Sequence, residues 1–280
     1  MDMTAVQVRG LRKAYPKIQA VAGIDLRIER GEVFALLGPN GAGKTTTVEI
    51  LEGHRKRDAG TVSVLGQDPG SAGREWRARL GIVLQTATDA AELSVRETIR
   101  HFAGYYPRPR QPEEVMELCG LKEKASARVK SLSGGQRRRL DVALGIIGTP
   151  ELLFLDEPTT GFDPEARRQF WSLIQKLTAD GTTIVLTTHY LDEAEALADR
   201  VAVIAKGEIV AEGAPGELGG RSKREATVRW FDHNGEQTVQ TATPTKLIGE
   251  LSRGGGELAG LTVTRPTLED IYLDLVGGDR

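Results

Sequence analysis

The sequence is poor in cysteine, in net charge and in long apolar runs, and each shortage narrows the class of protein. Its 280 residues include one cysteine, Cys119, so no disulfide can form within the chain and a reducing compartment is expected. No stretch approaches the roughly 18 apolar residues that a membrane-spanning helix needs. The first ten residues, MDMTAVQVRG, lack the basic and apolar segments of a secretory signal. We therefore expect a cytosolic protein whose attachment to any membrane depends on partner proteins.

The composition is that of an ordinary soluble domain. Hydrophobic residues make up 39% and charged residues 27% of the chain, which is long enough to bury a sizeable core. Length alone predicts one large domain, or one domain with a small appendage. The formal net charge is −2, so overall electrostatics do not attract nucleic acid, and no nucleic-acid partner is expected.

Short apolar runs alternate with helical patterns along the middle of the chain. Residues 33–38, 152–158 and 182–189 read as apolar strands, and residues 200–213 read as a hairpin that turns at Lys206-Gly207. Strands that are apolar along their whole length favour a parallel sheet covered on both faces. The N-terminal segments AVQVRGLRKAY and GIDLRIERGEV alternate better, which predicts a smaller antiparallel sheet. The expected fold class is therefore α/β, with a parallel sheet and a small N-terminal antiparallel β subdomain.

A block with helical patterns interrupts the α/β alternation at residues 94–145. Ser94 and Glu97 form a capping box at the start of its first helix. A proline-rich break at residues 107–112 separates this helix from the next one. We therefore predict an inserted helical subdomain at roughly residues 86–145.

The composition changes again at Gly219-Gly220. The tail beyond this point reads as strand, turn, strand, helix, glycine-rich link, strand and helix. These elements are enough for a small α+β appendage of about 60 residues. We divide the chain into a domain at residues 1–219 and an α+β C-terminal extension at residues 220–280.

A glycine-rich loop, GPNGAGKTT, follows the first apolar strand and precedes a helical pattern. It matches the phosphate-loop pattern G-x-x-x-x-G-K-[ST]. Glycines let backbone amides approach phosphate oxygens, and the helix N-terminus adds positive potential. Lys44 is expected to reach the β- and γ-phosphates of a nucleotide, and Thr45 to bind Mg²⁺. The predicted nucleotide-binding residues of this loop are Gly38, Pro39, Asn40, Gly41, Ala42, Gly43, Lys44, Thr45 and Thr46.

The apolar strand LLFLDEP carries acidic residues at its carboxyl end, where open α/β sheets bind ligands. Asp156 is predicted to hold Mg²⁺ through water or through Thr45. Glu157 is predicted to accept a proton from the attacking water, a role that positioned carboxylates have in phosphoryl transfer. The alternative is a solvated acidic pair, which the nearby glycine loop disfavours.

A second helix start with anion-binding character lies at residues 130–140, KSLSGGQRRRL. Ser133 and Gln136 form a capping-box pattern. A cap alone does not explain Gly134 and Gly135, because glycine in a helix costs up to about 1 kcal/mol relative to alanine. Close approach of the backbone to a ligand does explain them. One nucleotide needs a single glycine loop, so this helix start predicts a phosphate surface outside the first site.

The order and spacing of these motifs resemble the nucleotide-binding subunit of ATP-binding-cassette (ABC) proteins. The resemblance covers roughly residues 4–215 and implies a P-loop NTPase core with ATP and Mg²⁺ as cofactors. In that family two cassettes pair head to tail, and ATP lies between the glycine loop of one and the LSGGQ loop of the other. The resemblance therefore implies a homodimer in which residues 133–136 bind the partner's nucleotide, whose negative charge needs further N–H donors.

The same resemblance implies roles for four more residues. Tyr15 matches the aromatic residue that stacks on adenine, although Pro16 departs from the family pattern; a core or surface tyrosine is the alternative. Gln85 matches the glutamine that contacts Mg²⁺ and the attacking water. Asp163 matches the aspartate that crosses the dimer interface, and it also fits an N-cap followed by proline. His189 matches the histidine that contacts the γ-phosphate and braces the attacking water.

Two segments indicate what work the ATPase performs. LSVRETIRHFAGYY and the terminal RPTLEDIYLDL resemble the daunorubicin-resistance type of exporter ATPase, whose permease is a separate protein. This implies a peripheral subunit on the cytoplasmic face of the membrane that powers drug, lipid or polysaccharide efflux, with residues around 85–106 meeting the permease. The alternatives are a soluble ABC ATPase acting on ribosomes or nucleic acid, and the ATPase subunit of an importer. The single cassette without a heptad run disfavours the soluble types.

Overall fold

A computed structural model of the chain describes residues 3–83, 92–254 and 257–277. The strands within these ranges are β1 (Thr4–Tyr15), β2 (Ile18–Glu29), β3 (Val33–Leu37), β4 (Ala59–Val64), β5 (Leu80–Val83), β6 (Leu152–Asp156), β7 (Thr183–Thr188), β8 (Arg200–Ala205), β9 (Glu208–Gly213), β10 (Ala226–Asp232), β11 (Gly235–Thr241) and β12 (Ala259–Thr264). The α-helices are α1 (Lys44–Leu51), α2 (Arg74–Arg77), α3 (Val95–Ala103), α4 (Pro112–Leu118), α5 (Gly134–Ile146), α6 (Pro164–Ala179), α7 (Leu191–Leu197), α8 (Pro244–Leu251) and α9 (Leu268–Gly277). No helix in these ranges combines the length and apolarity that crossing a membrane requires.

The central sheet has the strand order β5-β6-β7-β3-β8-β9. Its first five strands run parallel, and β9 pairs with β8 in the antiparallel direction. Every residue of β3 and β7 is buried, as expected for parallel strands covered on both faces. The predicted hairpin turn is confirmed, because Lys206 and Gly207 have φ angles of 52° and 82°. A type I′ turn needs positive φ at both central residues.

Alternate residues of the central strands face two apolar cores. Leu153 and Leu155 of β6 belong to a core shared with α3–α7, whereas Leu152 and Phe154 belong to a core shared with the antiparallel sheet. That second sheet has the order β2-β1-β4. The α/β fold class and the small N-terminal antiparallel sheet are therefore confirmed.

The helices between β5 and β6 begin with the predicted capping box. The hydroxyl of Ser94 accepts from the backbone N–H of Glu97, and the Glu97 carboxylate accepts from the Ser94 N–H. Ile99 of α3 and Leu140 of α5 lie in the same core as Leu153, so this insertion packs directly on the central sheet. The limits of the helical subdomain at residues 86–145 stay a prediction.

The C-terminal elements follow the predicted order and form a third sheet, β11-β10-β12, with α8 and α9. Gly219 and Gly220, at the predicted boundary, have φ angles of 58° and 74°. The last helix returns to the main body of the protein, because Leu268 is buried in the core that contains Leu153. The division into residues 1–219 and 220–280 stays a prediction, and α9 packs across that boundary.

Leu153→Ala tests whether this core supports the strand that carries the acidic residues. Leu153 is fully buried, so its truncation is expected to lower the free energy of unfolding by about 2–5 kcal/mol. Leu273→Ala is the matched control, because Leu273 is 59% exposed and surface changes usually stay within about 0.5 kcal/mol. Urea unfolding followed by circular dichroism measures both values. Equal losses in the two variants would contradict the described packing.

Candidate nucleotide-binding site

The loop between β3 and α1 has a backbone that requires glycine at two positions. Gly43 has a φ angle of 108°, and a Cβ atom added there would lie 2.2 Å from the Ala20 carbonyl oxygen. A Cβ atom at Gly38 would lie 2.4 Å from the Ile204 carbonyl oxygen. Glycine at both positions lets the loop pass close to the backbone of Ala20 and Ile204 and turn into α1, because a side chain would not fit there. The loop therefore adopts the strand, turn and helix start that phosphate-binding loops require.

Lys44, the first residue of α1, extends back along this loop. Its Nζ donates to the carbonyl oxygens of Gly38 (2.7 Å) and Pro39 (3.1 Å). Burial lowers the pKa of Lys44, and the nearby carboxylates of Glu157 and Asp156 oppose this shift. The ammonium group therefore lies between the glycine loop and the acidic end of β6. Thr45 is exposed next to it.

The acidic end of β6 is held against the end of β7. The Thr187 hydroxyl donates to the Asp156 carboxylate, and the Glu157 backbone N–H donates to the Thr187 carbonyl at 3.0 Å. Glu157 has a φ angle of 45°, which is uncommon for a residue other than glycine and is found at functional sites. Its Oε1 lies 3.2 Å from Nδ1 of His189. The structure thus brings together the predicted metal ligand, the predicted base and the predicted histidine.

Tyr15 lies on the surface beside the glycine loop. Its hydroxyl is 3.4 Å from the Thr46 hydroxyl, and the cationic groups of Lys13 and Arg55 lie 5.9 Å and 5.5 Å from its ring centroid. This position fits a surface tyrosine and is also next to the phosphate loop. The role of Tyr15 in stacking on adenine stays a prediction.

The LSGGQ helix start is built as a capping box with an open glycine face. The Ser133 hydroxyl accepts from the Gln136 N–H, and Gln136 Oε1 accepts from the Ser133 N–H. Gly134 is exposed, and a Cβ atom there would meet nothing within 4 Å. In the part of the chain that the structure describes, no hydrogen bond joins residues 133–136 to the glycine loop. The role of Ser133, Gly134, Gly135 and Gln136 toward a partner's nucleotide stays a prediction.

Two other predicted residues have different outcomes. Asp163 is the N-cap of α6, since its Oδ1 accepts from the Ala166 N–H at 2.8 Å and Pro164 is the first helical residue. This is the structural alternative that the sequence offered, and the role of Asp163 in a dimer interface stays a prediction. Gln85 lies outside the described residues.

The sequence did not single out Arg138, which ties the LSGGQ helix to the acidic strand. Arg138 is buried, and its guanidinium donates to the backbone carbonyls of Asp156 and of Pro158. Burial lowers its pKa, and the carboxylate of Asp141 is foremost among the charges that oppose this shift. The run of three arginines does not reveal which one is buried. The only sequence signal is its spacing of four residues from Val142, which places both on one helix face.

Glu52, at the end of α1, is a second residue that the sequence did not single out. It is 3% exposed, and its Oε2 lies 3.2 Å from Nδ1 of His54. Burial raises the pKa of Glu52 to about 8, with smaller contributions from the charges of Asp156 and Glu49. Its position directly after the buried pair Ile50-Leu51 is the available sequence signal. The α1 helix therefore ends in a carboxyl group that the protein keeps largely protonated at neutral pH.

Comparisons with known proteins agree with this geometry. A family model described as ABC transporter matches residues 21–160, half of the chain. The chain is 36% identical over 310 residues to the daunorubicin resistance ATP-binding protein DrrA3 of Streptomyces coeruleorubidus, with 100% of this chain and 98% of the relative covered. It is 44% identical over 219 residues to the Nod factor export ATP-binding protein I of Ralstonia nicotianae, with 76% of this chain and 68% of that relative covered. A solved ATP-binding subunit of an ABC transporter has a TM-score of 0.69 at 25% identity, with 76% and 91% covered.

The fold and the loop after β3 define a P-loop nucleotide-binding protein. The comparisons are more specific than the fold: a family model matches half of the chain, and one relative matches its whole length. The chain belongs to the ABC transporter family. It is accordingly an ATP-binding subunit with ATPase activity, and the resemblance inferred from its motifs is confirmed.

Glu52→Gln tests the electrostatics at the end of α1. The pKa of the Glu52 carboxyl is 4.5 in the unfolded chain and about 8 in the folded protein. Its contribution to stability is therefore full below pH 4.5 and is lost as the pH rises toward about 8. The difference in the free energy of unfolding, variant minus parent, is expected to be about 3 kcal/mol larger at pH 8.5 than at pH 5, because only the parent loses stability as the pH rises. Urea unfolding at both pH values measures this, and a pH-independent difference between variant and parent would contradict it.

Proposed function

We propose that the protein powers export through a separate membrane permease, by ATP-driven pairing of two copies of this chain. The observation that carries this proposal is the match to the daunorubicin resistance ATP-binding protein, which extends over 100% of the chain and so includes residues 220–280. The Nod factor export protein supports the same direction of transport. The chain would then work at the cytoplasmic face of the membrane, held there by the permease.

The chemistry of this proposal starts from the contacts around Lys44. Lys44 and the amides of the glycine loop bind the phosphates of ATP, and Lys44 neutralises charge that develops on them in the transition state. Glu157 accepts a proton from the water that attacks the γ-phosphorus. His189, whose Nδ1 is 3.2 Å from Glu157 Oε1, braces that water and the γ-phosphate. The products are ADP and phosphate.

The oxygen atoms near Lys44 fit Mg²⁺. The Thr45 hydroxyl and the Asp156 carboxylate are ligands that this ion prefers, and it usually completes its shell with water and nucleotide phosphates. Among the described residues, no group of three or more His, Cys, Asp and Glu side chains could hold a metal alone. The ion would accordingly arrive with ATP, and when bound it supplies positive charge to the β- and γ-phosphates. Gln85 is proposed as a further ligand.

The LSGGQ helix start supports the proposed pairing of two chains. Gly134 is exposed and has open space around it, so its backbone N–H is accessible to a ligand. Within the described part of the chain, the first amides of α5 have no side-chain acceptor, apart from the amide of Gln136, which donates to Ser133. A partner's nucleotide would supply the acceptor atoms. Each of two sites in a homodimer would then use the glycine loop of one chain and residues 133–136 of the other, with Asp163 near the interface.

A groove between the core and the helical insertion is proposed as the contact with the permease. It has a volume of about 720 Å³. Its lining residues are Arg74, Glu75, Arg77, Ala78, Gly104, Tyr105, Tyr106 and Pro107. Tyr105 is 56% exposed, and aromatic residues with a polar tip are enriched in protein interfaces. Arg74 and Arg77 would suit acidic residues on the partner.

Glu157→Gln tests the catalytic assignment. Glutamine has nearly the same shape and can accept the left-handed backbone angle as readily as glutamate, but it cannot take a proton. The turnover number for ATP is expected to fall about 10²-fold or more, while the affinity for ATP is kept. A phosphate-release assay and titration with a fluorescent ATP analogue measure the two quantities.

The same variant tests the pairing. Because ATP is bound and not consumed, size-exclusion chromatography is expected to show a dimer with ATP and a monomer without it. Ser133→Ala in the Glu157→Gln background is expected to weaken the dimer. If Glu157→Gln hydrolysed ATP at the parent rate, Glu157 would not be the catalytic base. If it stayed a monomer at saturating ATP, the proposed pairing would be contradicted.

Tyr105→Ser tests the permease groove. In cells that produce the protein natively, the parent chain is expected to sediment with the membrane fraction. Loss of the Tyr105 ring should reduce that fraction several-fold and leave the ATPase activity of the purified chain unchanged. Phe231→Ser is the matched control, because Phe231 is 54% exposed and lies outside the groove. Equal membrane recovery of parent and Tyr105→Ser would contradict the proposed contact.

A further inference from the structure

A buried glutamate that the proposed mechanism does not use lies beside the reacting residues. Glu193, on α7, is 0% exposed. Within the described ranges, its two carboxyl oxygens and the Thr159 hydroxyl make no hydrogen bond of ordinary geometry. Burial raises the pKa of Glu193, and the nearby hydroxyls of Thr188 and Thr159 oppose this shift. Because a buried carboxyl is costly unless it is paired, this cluster requires an explanation.

Thr159 lies in the loop after β6, Thr188 is the last residue of β7, and both can donate to Glu193. The Thr188 hydroxyl oxygen accepts from the Tyr190 N–H at 3.0 Å, which leaves its hydrogen available. The Thr159 hydroxyl is fully buried and has no other acceptor among the residues that the structure describes. Hydroxyl hydrogens rotate to suit their surroundings, and a carboxylate offers two acceptor oxygens. Glu193 can therefore bridge the loop after β6 and the end of β7, where the loop that leads to α7 begins.

These loops carry the two groups proposed to act on the attacking water. Glu157 is two residues before Thr159, and His189 follows Thr188 directly. The Glu157 carboxylate and the His189 ring are 3.2 Å apart, so a small displacement of either loop changes their separation. A misplacement of about 1 Å in a catalytic group can cost about 10²-fold in rate. A bridge between the loops would preserve this geometry.

Charge also supports the bridge. The buried Arg138 is stabilised in its charged form by several carboxylates, and that of Glu193 is among them. Arg138 in turn donates to the backbone carbonyls of Asp156 and Pro158, next to Thr159. A buried carboxylate is tolerated when an opposite charge and hydrogen-bond donors compensate for the lost water. Glu193 has both kinds of neighbour.

We infer that Glu193 is a positioning residue for ATP hydrolysis, which holds Glu157 and His189 in register through the hydroxyls of Thr159 and Thr188. This inference rests on the proposed roles of Glu157 and His189. Glu193 itself does not contact ATP. Its removal should therefore slow the chemical step and leave nucleotide binding intact.

The test compares Glu193→Gln and Thr159→Val with the parent chain. Glutamine keeps the length of the side chain but replaces one acceptor oxygen with a donor, and valine keeps the shape of threonine but lacks the hydroxyl. Each variant is expected to lower the turnover number at saturating Mg-ATP about tenfold or more. The affinity for a fluorescent ATP analogue is expected to stay within about threefold of the parent. The double variant should lose little beyond the lower single variant, because both changes break one bridge.

Glu195→Gln is the matched control on the same helix. Glu195 is exposed and pairs with Arg221, so its turnover number should match that of the parent. A turnover number within twofold of the parent in a folded Glu193→Gln or Thr159→Val would overturn the inference. So would a loss of thermal stability or affinity alone. If Glu193→Gln does not fold, Thr159→Val decides. A parent chain without ATP hydrolysis would contradict the proposed function instead.

Discussion

The burial of β3, β6 and β7 on both faces is the constraint on which the site depends. Parallel strands that pack on two cores must lie side by side, and their carboxyl ends then meet at one edge of the sheet. Lys44 follows β3, Glu157 follows β6 and His189 follows β7. Residues about thirty positions apart in the chain thereby come into contact, as the Glu157–His189 distance of 3.2 Å shows.

The LSGGQ helix is coupled to this edge through the backbone. Arg138 of α5 donates to the carbonyls of Asp156 and Pro158, so a shift of α5 acts on the strand end that carries the acidic residues. The same helix begins with the exposed Ser133 and Gly134, four to five residues before Arg138. One rigid helix thus spans the proposed phosphate surface for a partner and the proposed hydrolytic site of its own chain. This arrangement is physically suited to linking ATP hydrolysis to movement between two chains.

The C-terminal elements are integrated with the cassette by their last helix. Leu268 joins the main core, and Arg221 binds the Pro266 carbonyl while it pairs with Glu195 on α7. The α7 helix also carries Glu193 and follows His189. Residues 220–280 are therefore in a position to stabilise the helix that supports the histidine loop. Composition alone predicted a boundary at Gly219-Gly220. It reflects a local change in residue types and does not show that α9 packs back on the main core.

Local patterns in the sequence were enough for the strands other than β4 and β5, for the capping boxes at Ser94 and Ser133, and for the glycine loop and the acidic strand end. Each depends on neighbours within a few residues, through periodicity, capping or backbone freedom. The burial of Arg138, Glu52 and Glu193 was decided only by tertiary structure. A charged side chain is stable in the interior only where distant carbonyls, hydroxyls or opposite charges surround it, and the one-dimensional sequence does not record those distances.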